Sequence, residues 1–245
     1  MIGIIGYGFV GKAVEFGFPN VDKIISDPAY NSVTLNDVLS ENPICVFLCL
    51  PTPTDDTNYS LIKSVLNEIK DYGYKGLVVI KSTILYHHIE DYDVILNPEF
   101  LSRGTSNEDF INPPFVIMGG KSESLVKLKD IYEKYSIVDL KNVVMTDLKT
   151  ASLVKYTFNT FFSTKVTFFN EIYEICEKVG VSYEEIKKIV EKNPWIANKH
   201  IDVPGHEGRG FSGPCLPKDT EALMNEYDVK LLKSVLDRNE EFRKK

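Results

Sequence analysis

The sequence predicts an α/β protein: a doubly wound parallel sheet over residues 1–147, followed by an all-helical domain over residues 148–245. Three observations carry this. Short apolar runs alternate with helical patterns through the first part, as buried parallel strands and their crossover helices do. A glycine-rich turn follows the first run directly, and from Leu148 onward the chain carries no Gly or Pro until Gly180.

In chain order the strand candidates are "IGIIG", "KIISD", "ICVFLCLP", "LVVIKST", "DVILNPEF", "PFVIMGG" and "NVVMT". Each is a short apolar run bounded by Gly, Pro, Thr or Asp, the pattern of a strand buried on both faces. The stretch from Leu148 has apolar residues at helical spacing and reads as one long helix to about residue 179, closed by a Gly180 cap. "SYEEIKKIVEKN" reads as a second helix, with Ser182 and Glu185 spaced for a capping box. After a loop around Cys215, "DTEALMNEYD" and "VKLLKSVLDRNEEFRKK" return to helical pattern, with a helix starting at about Asp219.

Composition removes several classes. Of 245 residues, 43% are hydrophobic and 26% charged, which is ordinary for a globular protein. The net charge of −7 and the lack of a long basic stretch argue against nucleic acid as a partner. The first apolar run, broken by glycines and without a basic leader, does not read as a signal peptide, and the longest apolar run, "ICVFLCL", is too short to span a bilayer, so no membrane partner and a cytoplasmic location are expected. Cys45, Cys49, Cys176 and Cys215 and the four histidines show no metal-ligand spacing. The first three cysteines lie on apolar strand or helix faces, where packing accounts for them.

Gly6, Gly8 and Gly11 stand in GxGxxG spacing between the first strand and a helical pattern. There a glycine serves a tight turn, a close approach to pyrophosphate and a close helix-to-strand contact, which makes the first domain Rossmann-like. Asp27, sixteen residues past Gly11 at the end of the next strand, suits the adenosine ribose hydroxyls; no arginine follows it closely, which favours NAD over NADP.

Two further sets admit two readings each. Lys155 and Asn159, four apart on the long helix, share a face as a functional pair or as solvated groups. Cys215, in "GRGFSGPCLPKDT" with Lys218 nearby, is an exposed, activated thiolate able to hold an aldehyde as a thiohemiacetal, or a small loop filler with Asp219 as a helix cap.

The stretches "IGYGFVG", "PTPT" at 51–54, "KST" at 81–83, "NPEFL" at 97–101, "VKYTFNTFFSTKVTFFNEI" at 154–172 and "GFSGPCLPKDT" at 210–220 resemble the UDP-glucose/GDP-mannose dehydrogenase family, in that family's order. The resemblance implies oxidation of the primary alcohol of a nucleotide sugar, UDP-glucose foremost, to a carboxylate with reduction of two NAD. It implies Cys215 as nucleophile, Lys155 and Asn159 as oxyanion stabilisers, Asp219 orienting water, Glu99 assisting thioester hydrolysis, and Thr83 supporting the water network. Cofactor contacts fall by the same resemblance on Gly6, Gly8, Phe9, Val10, Gly11, Asp27, Pro51, Thr52, Ser82, Thr83 and Lys218. Substrate contacts fall on Glu99, Phe100, Leu101, Lys155, Asn159, Phe211 and Gly213. The long helix is expected to form the core of a homodimer.

The chain also departs from the family pattern. The carboxy-terminal dinucleotide-fold domain that binds the nucleotide is expected to be absent, or supplied by a second chain. Arg103 stands where an acidic residue is expected, Trp195 where an arginine is, and Ser212 replaces a glycine. These departures leave two other readings open: a non-catalytic NAD-binding or interaction protein, and an oxidoreductase for a smaller alcohol or aldehyde.

Overall fold

A computed structural model describes residues 1–53, 59–102 and 104–245; Thr54, the last residue of "PTPT", and Arg103 lie outside the described residues. Seven strands form one sheet among the described residues: β1 (Ile2–Ile5), β2 (Lys23–Ser26), β3 (Cys45–Leu48), β4 (Leu77–Ile80), β5 (Ile95–Leu96), β6 (Val116–Gly119) and β7 (Val143–Thr146). Their spatial order is β2-β1-β3-β4-β5-β6-β7. Successive strand residues alternate between two cores. Val46, Leu48, Ile80 and Leu96 enter one, while Cys45, Phe47, Val79 and Ile95 enter the other. Both faces of these central strands are therefore covered, as their unbroken apolar runs require, whereas β7 at the sheet edge departs from that expectation and leaves Val144 and Met145 exposed because no described strand lies beyond it.

The sheet is not wholly parallel. β1 to β5 run in one direction, but Leu96 of β5 pairs antiparallel with Gly119 of β6, and β7 follows β6. The helix between β5 and β6, α4 (Ser106–Ile111), is only six residues long and packs on α1 (Phe9–Gly17). Phe110 lies so close there that a Cβ on Gly17 would come within 2.2 Å of its ring. An antiparallel neighbour needs no crossover over the strand pair.

α2 (Leu35–Ser40), α3 (Ser60–Tyr72) and α5 (Ser122–Tyr135) complete the layers around the sheet. α6 (Leu148–Val179) starts where Asp147 accepts from the Thr150 backbone N–H at 2.8 Å and its hydroxyl at 2.9 Å. It ends at Gly180 in the left-handed conformation, φ +75°, with two backbone N–H groups donating to the Cys176 carbonyl.

The chain forms two compact units, Met1–Lys155 and Tyr156–Lys245, which divide inside α6. The division falls there because Leu148, Ala151 and Val154 join the sheet's core and the Ser152 hydroxyl donates to the Ile84 carbonyl. In the second unit α6 is followed by α7 (Tyr183–Val190), α8 (Leu216–Tyr227) and α9 (Lys230–Arg243). Phe169, Cys176, Tyr183, Ile201 and Val203 form its core around α6 and α7. The capping box expected at Ser182 is not formed, since the Ser182 side chain makes no cap bond; Thr34 and Asp37 form one at α2 instead. No described helix is long and apolar enough to cross a membrane.

Candidate functional site

Because β1 to β5 are parallel, the residues that follow them gather along one edge of the sheet, the usual ligand edge of such folds. Gly6 turns the chain out of β1 with φ +91°, and a Cβ there would lie 2.6 Å from the Cys49 carbonyl oxygen. Gly11 lets α1 close on that turn, since its Cβ would meet the Gly6 carbonyl oxygen at 2.1 Å. Gly8 is different: it is the N-cap residue of α1, contributes no side-chain cap, and has open space where a Cβ would stand. Behind it the first-turn N–H groups of Phe9, Val10 and Gly11 have no acceptor within the helix. A helix N-terminus with room before it fits a pyrophosphate. Asp27, at the end of β2, accepts from the Tyr7 N–H at 2.6 Å and the Ala29 N–H at 2.8 Å, so its carboxylate is fixed with lone pairs left for ribose hydroxyls.

Further along the edge, Pro51 is exposed and Thr52 and Thr83 are half-buried. Ser82 is buried, and its hydroxyl donates to the Leu50 carbonyl at 2.7 Å, tying the ends of β3 and β4 together. The β5 exit carries Glu99. Its carboxylate takes the Leu101 N–H at 2.6 Å, while Lys155 Nζ donates to the Glu99 carbonyl at 2.6 Å and lies 3.5 Å from its Oε1. The Lys155 ammonium also sits 5.0 Å from the centre of the Phe100 ring. Lys155 is thus buried and ion-paired, which removes the solvated reading for it.

In the second unit the structure joins Asn159, Lys218 and Asp219. Asp219 is 1% exposed; its Oδ2 accepts from Asn159 Nδ2 at 2.5 Å, and its Oδ1 pairs with the Lys218 ammonium. Asp219 is not a helix cap. α8 opens at Leu216 with Pro217 in its first turn, a position that requires no donated N–H, so Cys215 holds the N-cap position and Asp219 lies one turn inside. The Cys215 side chain is exposed and the Asp219 N–H donates to the Cys215 carbonyl at 3.0 Å. Gly213 adopts φ +80° in open space, whereas Phe211 is buried. Trp195 is 93% exposed. Of the other cysteines, Cys45 and Cys176 are buried, and burial pushes the Cys49 thiol up to about 12.

A buried polar cluster behind Glu99 escaped the sequence reading. Lys81, Tyr132 and Asn97 meet under β4 and β5: Asn97 Oδ1 accepts from Lys81 Nζ at 3.1 Å and from the Tyr132 hydroxyl at 2.6 Å, and Asn97 Nδ2 donates to the Ile117 carbonyl at 2.7 Å. The strings "KST" and "NPEF" contain two of its members, but nothing local marks Tyr132.

Comparison with known proteins matches both units. The model of the UDP-glucose/GDP-mannose dehydrogenase family NAD binding domain covers residues 31–136, and that of the family's central domain covers residues 149–241. The UDP-glucose 6-dehydrogenase of Rickettsia felis is 32% identical over 222 residues, which are 82% of this chain and 48% of that protein. The chain spans about half the length of the curated relatives it matches. Among solved structures, a UDP-glucose dehydrogenase from Pyrobaculum islandicum is similar with a TM-score of 0.81 at 22% identity, over 98% of this chain and 68% of its own. A UDP-D-ManNAc dehydrogenase from Pyrococcus horikoshii has a TM-score of 0.83 at 19% identity with the same coverage. Those two likenesses establish the fold. With NAD binding and central domain models matched in succession along most of its length, the chain belongs to the UDP-glucose/GDP-mannose dehydrogenase family.

Proposed function

We propose that the protein oxidises the primary alcohol of a nucleotide sugar, of the UDP-glucose to UDP-glucuronate type, through a thiohemiacetal and then a thioester on Cys215. The observation that carries this reading is the first turn of α8: an exposed thiol at the N-cap position, one turn ahead of a carboxylate that is 1% exposed and held by Asn159 and Lys218. Sinking a carboxylate that far is costly, and groups so held are typical of sites that use them. The competing view of Cys215 as loop filler gives no reason for that arrangement.

Gly6, Gly8 and Gly11 with the amides of Phe9 and Val10 would hold the pyrophosphate of NAD, and Asp27 the adenosine ribose. Pro51, Thr52, Ser82, Thr83 and Lys218 would line the remainder. Bound NAD supplies a hydride acceptor, one molecule for each of two oxidations. The alcohol loses a hydride and a proton to become an aldehyde, and the Cys215 thiolate adds to its carbonyl carbon. Lys155 and Asn159 stabilise the resulting oxyanion by charge and hydrogen bonding. Loss of the second hydride leaves a thioester, and water attacks its carbonyl to release the carboxylate and regenerate the thiol. Asp219 and Thr83 orient that water, and Glu99 assists its attack. Phe100, Leu101, Phe211 and Gly213 shape the sugar's surroundings. A cytoplasmic setting keeps the exposed thiol reduced, and two copies associate through α6.

The test is NADH formation from NAD and UDP-glucose by the purified chain, counted per sugar. Two NADH per sugar are expected, with none from Cys215→Ser. Absence of NADH at saturating UDP-glucose, with NAD still bound, would replace this reading with that of an NAD-binding protein; turnover of small alcohols alone would point to a different oxidoreductase.

A further inference from the structure

Residues 205–214 lack regular secondary structure apart from a single bridge between Gly205 and Gly208, yet they carry the chain to the N-cap position of α8. Their backbone is gripped from two helices of the same unit. On α9, Asn239 presents its amide edge to Phe211: Oδ1 accepts the Phe211 N–H at 2.7 Å, and Nδ2 donates to the Phe211 carbonyl at 3.0 Å. On α6, Asn170 Oδ1 accepts the Gly210 N–H at 3.2 Å and Arg209 Nε at 3.3 Å. Both amides are buried, Asn170 to 1% exposure and Asn239 to 8%. Gly210 is needed for the grip: its φ is +72°, and a Cβ there would stand 2.4 Å from Asn239 Oδ1.

We propose that Asn239, supported by Asn170, is a positioning residue for Cys215, holding the loop from which the thiol is presented. Burying an amide is unfavourable unless its donor and acceptor are both used. Asn239 uses both on one residue of the loop. Only Ser212, Gly213 and Pro214 separate that anchor from Cys215. On the far side α8 is fixed by Thr220, whose hydroxyl donates to Ser163 Oγ at 2.7 Å, and by Asp219 on Asn159. The thiol is thereby held between two anchors at the amino end of a helix, where the first-turn N–H groups and the helix dipole favour a thiolate. The purpose of this device rests on the dehydrogenase reading, but its test does not.

The experiment follows alkylation of Cys215 by iodoacetamide against pH, by peptide mass spectrometry on the full chain. It compares the wild type with Asn239→Leu, which keeps the branching at Cγ and loses both hydrogen bonds. Val235→Ala, a buried α9 residue outside the loop, is the control, with thermal unfolding measured for all three. Asn239→Leu is expected to raise the midpoint of the Cys215 profile by about one pH unit and so to slow alkylation below the wild-type midpoint, by up to about tenfold. Val235→Ala is expected to leave it unmoved. If Asn239→Leu does not fold, Asn239→Ala, smaller and uncharged, removes both hydrogen bonds without adding a charge and is expected to shift the profile in the same direction. Profiles that coincide with wild type, or that move equally in Val235→Ala, would overturn the proposal. A wild type that makes no NADH but shows the Asn239-dependent shift would instead defeat the dehydrogenase reading and leave the positioning role standing.

Discussion

Lys81 is a cation placed where water hardly reaches. It is 4% exposed, with Asn97 Oδ1 at 3.1 Å and the centre of the Phe110 ring at 5.2 Å as its partners, and burial lowers its pKa to about 8. An unfolded lysine titrates near 10.4. Between those values the unfolded chain binds more protons than the folded one, so this group makes stability rise as pH rises from about 8 to about 10.4. At neutral pH, Lys81 is therefore a net cost. Lys81→Met, similar in volume and leaving Asn97 still bonded to Tyr132, is expected to stabilise the fold at pH 7 by on the order of 2 kcal/mol. That advantage should shrink toward pH 10. Urea unfolding of both proteins at the two pH values checks it, and an advantage that does not change with pH would show that Lys81 is not the titrating group. The sequence could not announce this. A lysine at a strand end reads as solvated, and the residues gathered around Lys81 come from the exit of β5, from α4 and from α5, far along the chain. By contrast the tight turn at Gly6 and the close helix contact at Gly11 are legible, because these tasks depend on a turn and its adjoining elements.

The elements divide in the same way. All seven strands announce themselves as continuous apolar runs, although β7, at the sheet edge, is not buried on both faces; hydrophobicity carries no direction, so the reversal at β6 is not legible. The sequence puts the start of α8 late, at about Asp219, because Pro217 looks like loop, although proline is at home in a first helical turn. Ser182 and Glu185 had the spacing of a capping box without its bonds, since spacing allows a cap and side-chain geometry decides it. The α1 turn offers a prediction that separates fold from function. A methyl at Gly11 would press on the Gly6 backbone oxygen, so Gly11→Ala should force α1 away from β1 and cost about 1–3 kcal/mol, as overpacking does. A methyl at Gly8 meets nothing within 4 Å, and the residue's φ of −77° suits any side chain. Gly8→Ala should therefore leave thermal unfolding unchanged yet weaken NAD binding at least tenfold, because the methyl would occupy the space before the helix N-terminus. Calorimetric titration with NAD tests this, and unchanged affinity in Gly8→Ala would move the pyrophosphate away from α1.

For the molecule as a whole, α6 bears directly on association. Within the second unit, Phe161, Phe168 and Ile175 recur every seven residues along this helix at 58%, 55% and 50% exposure, and Val179 near its end is 65% exposed. A seven-residue spacing keeps side chains on one narrow stripe, the pattern with which one helix meets another. Single exposed apolar residues are commonplace, but a continuous stripe with two phenylalanines on one helix is the kind of surface that soluble chains cover. A second copy is the occupant we propose, since a stripe of this kind can pack against itself about a twofold axis. The wild-type chain is accordingly expected to run at twice its chain mass in light scattering at micromolar concentration. Phe168→Asp would place a charge in the middle of the stripe on both copies, where burial without a partner costs several kcal/mol. It is expected to yield a monomer with an unchanged circular dichroism spectrum, because Phe168 is more than half exposed within its own unit and its loss opens no cavity there. A wild type that is already monomeric, or a Phe168→Asp variant that still dimerises, would rule out this stripe as the interface.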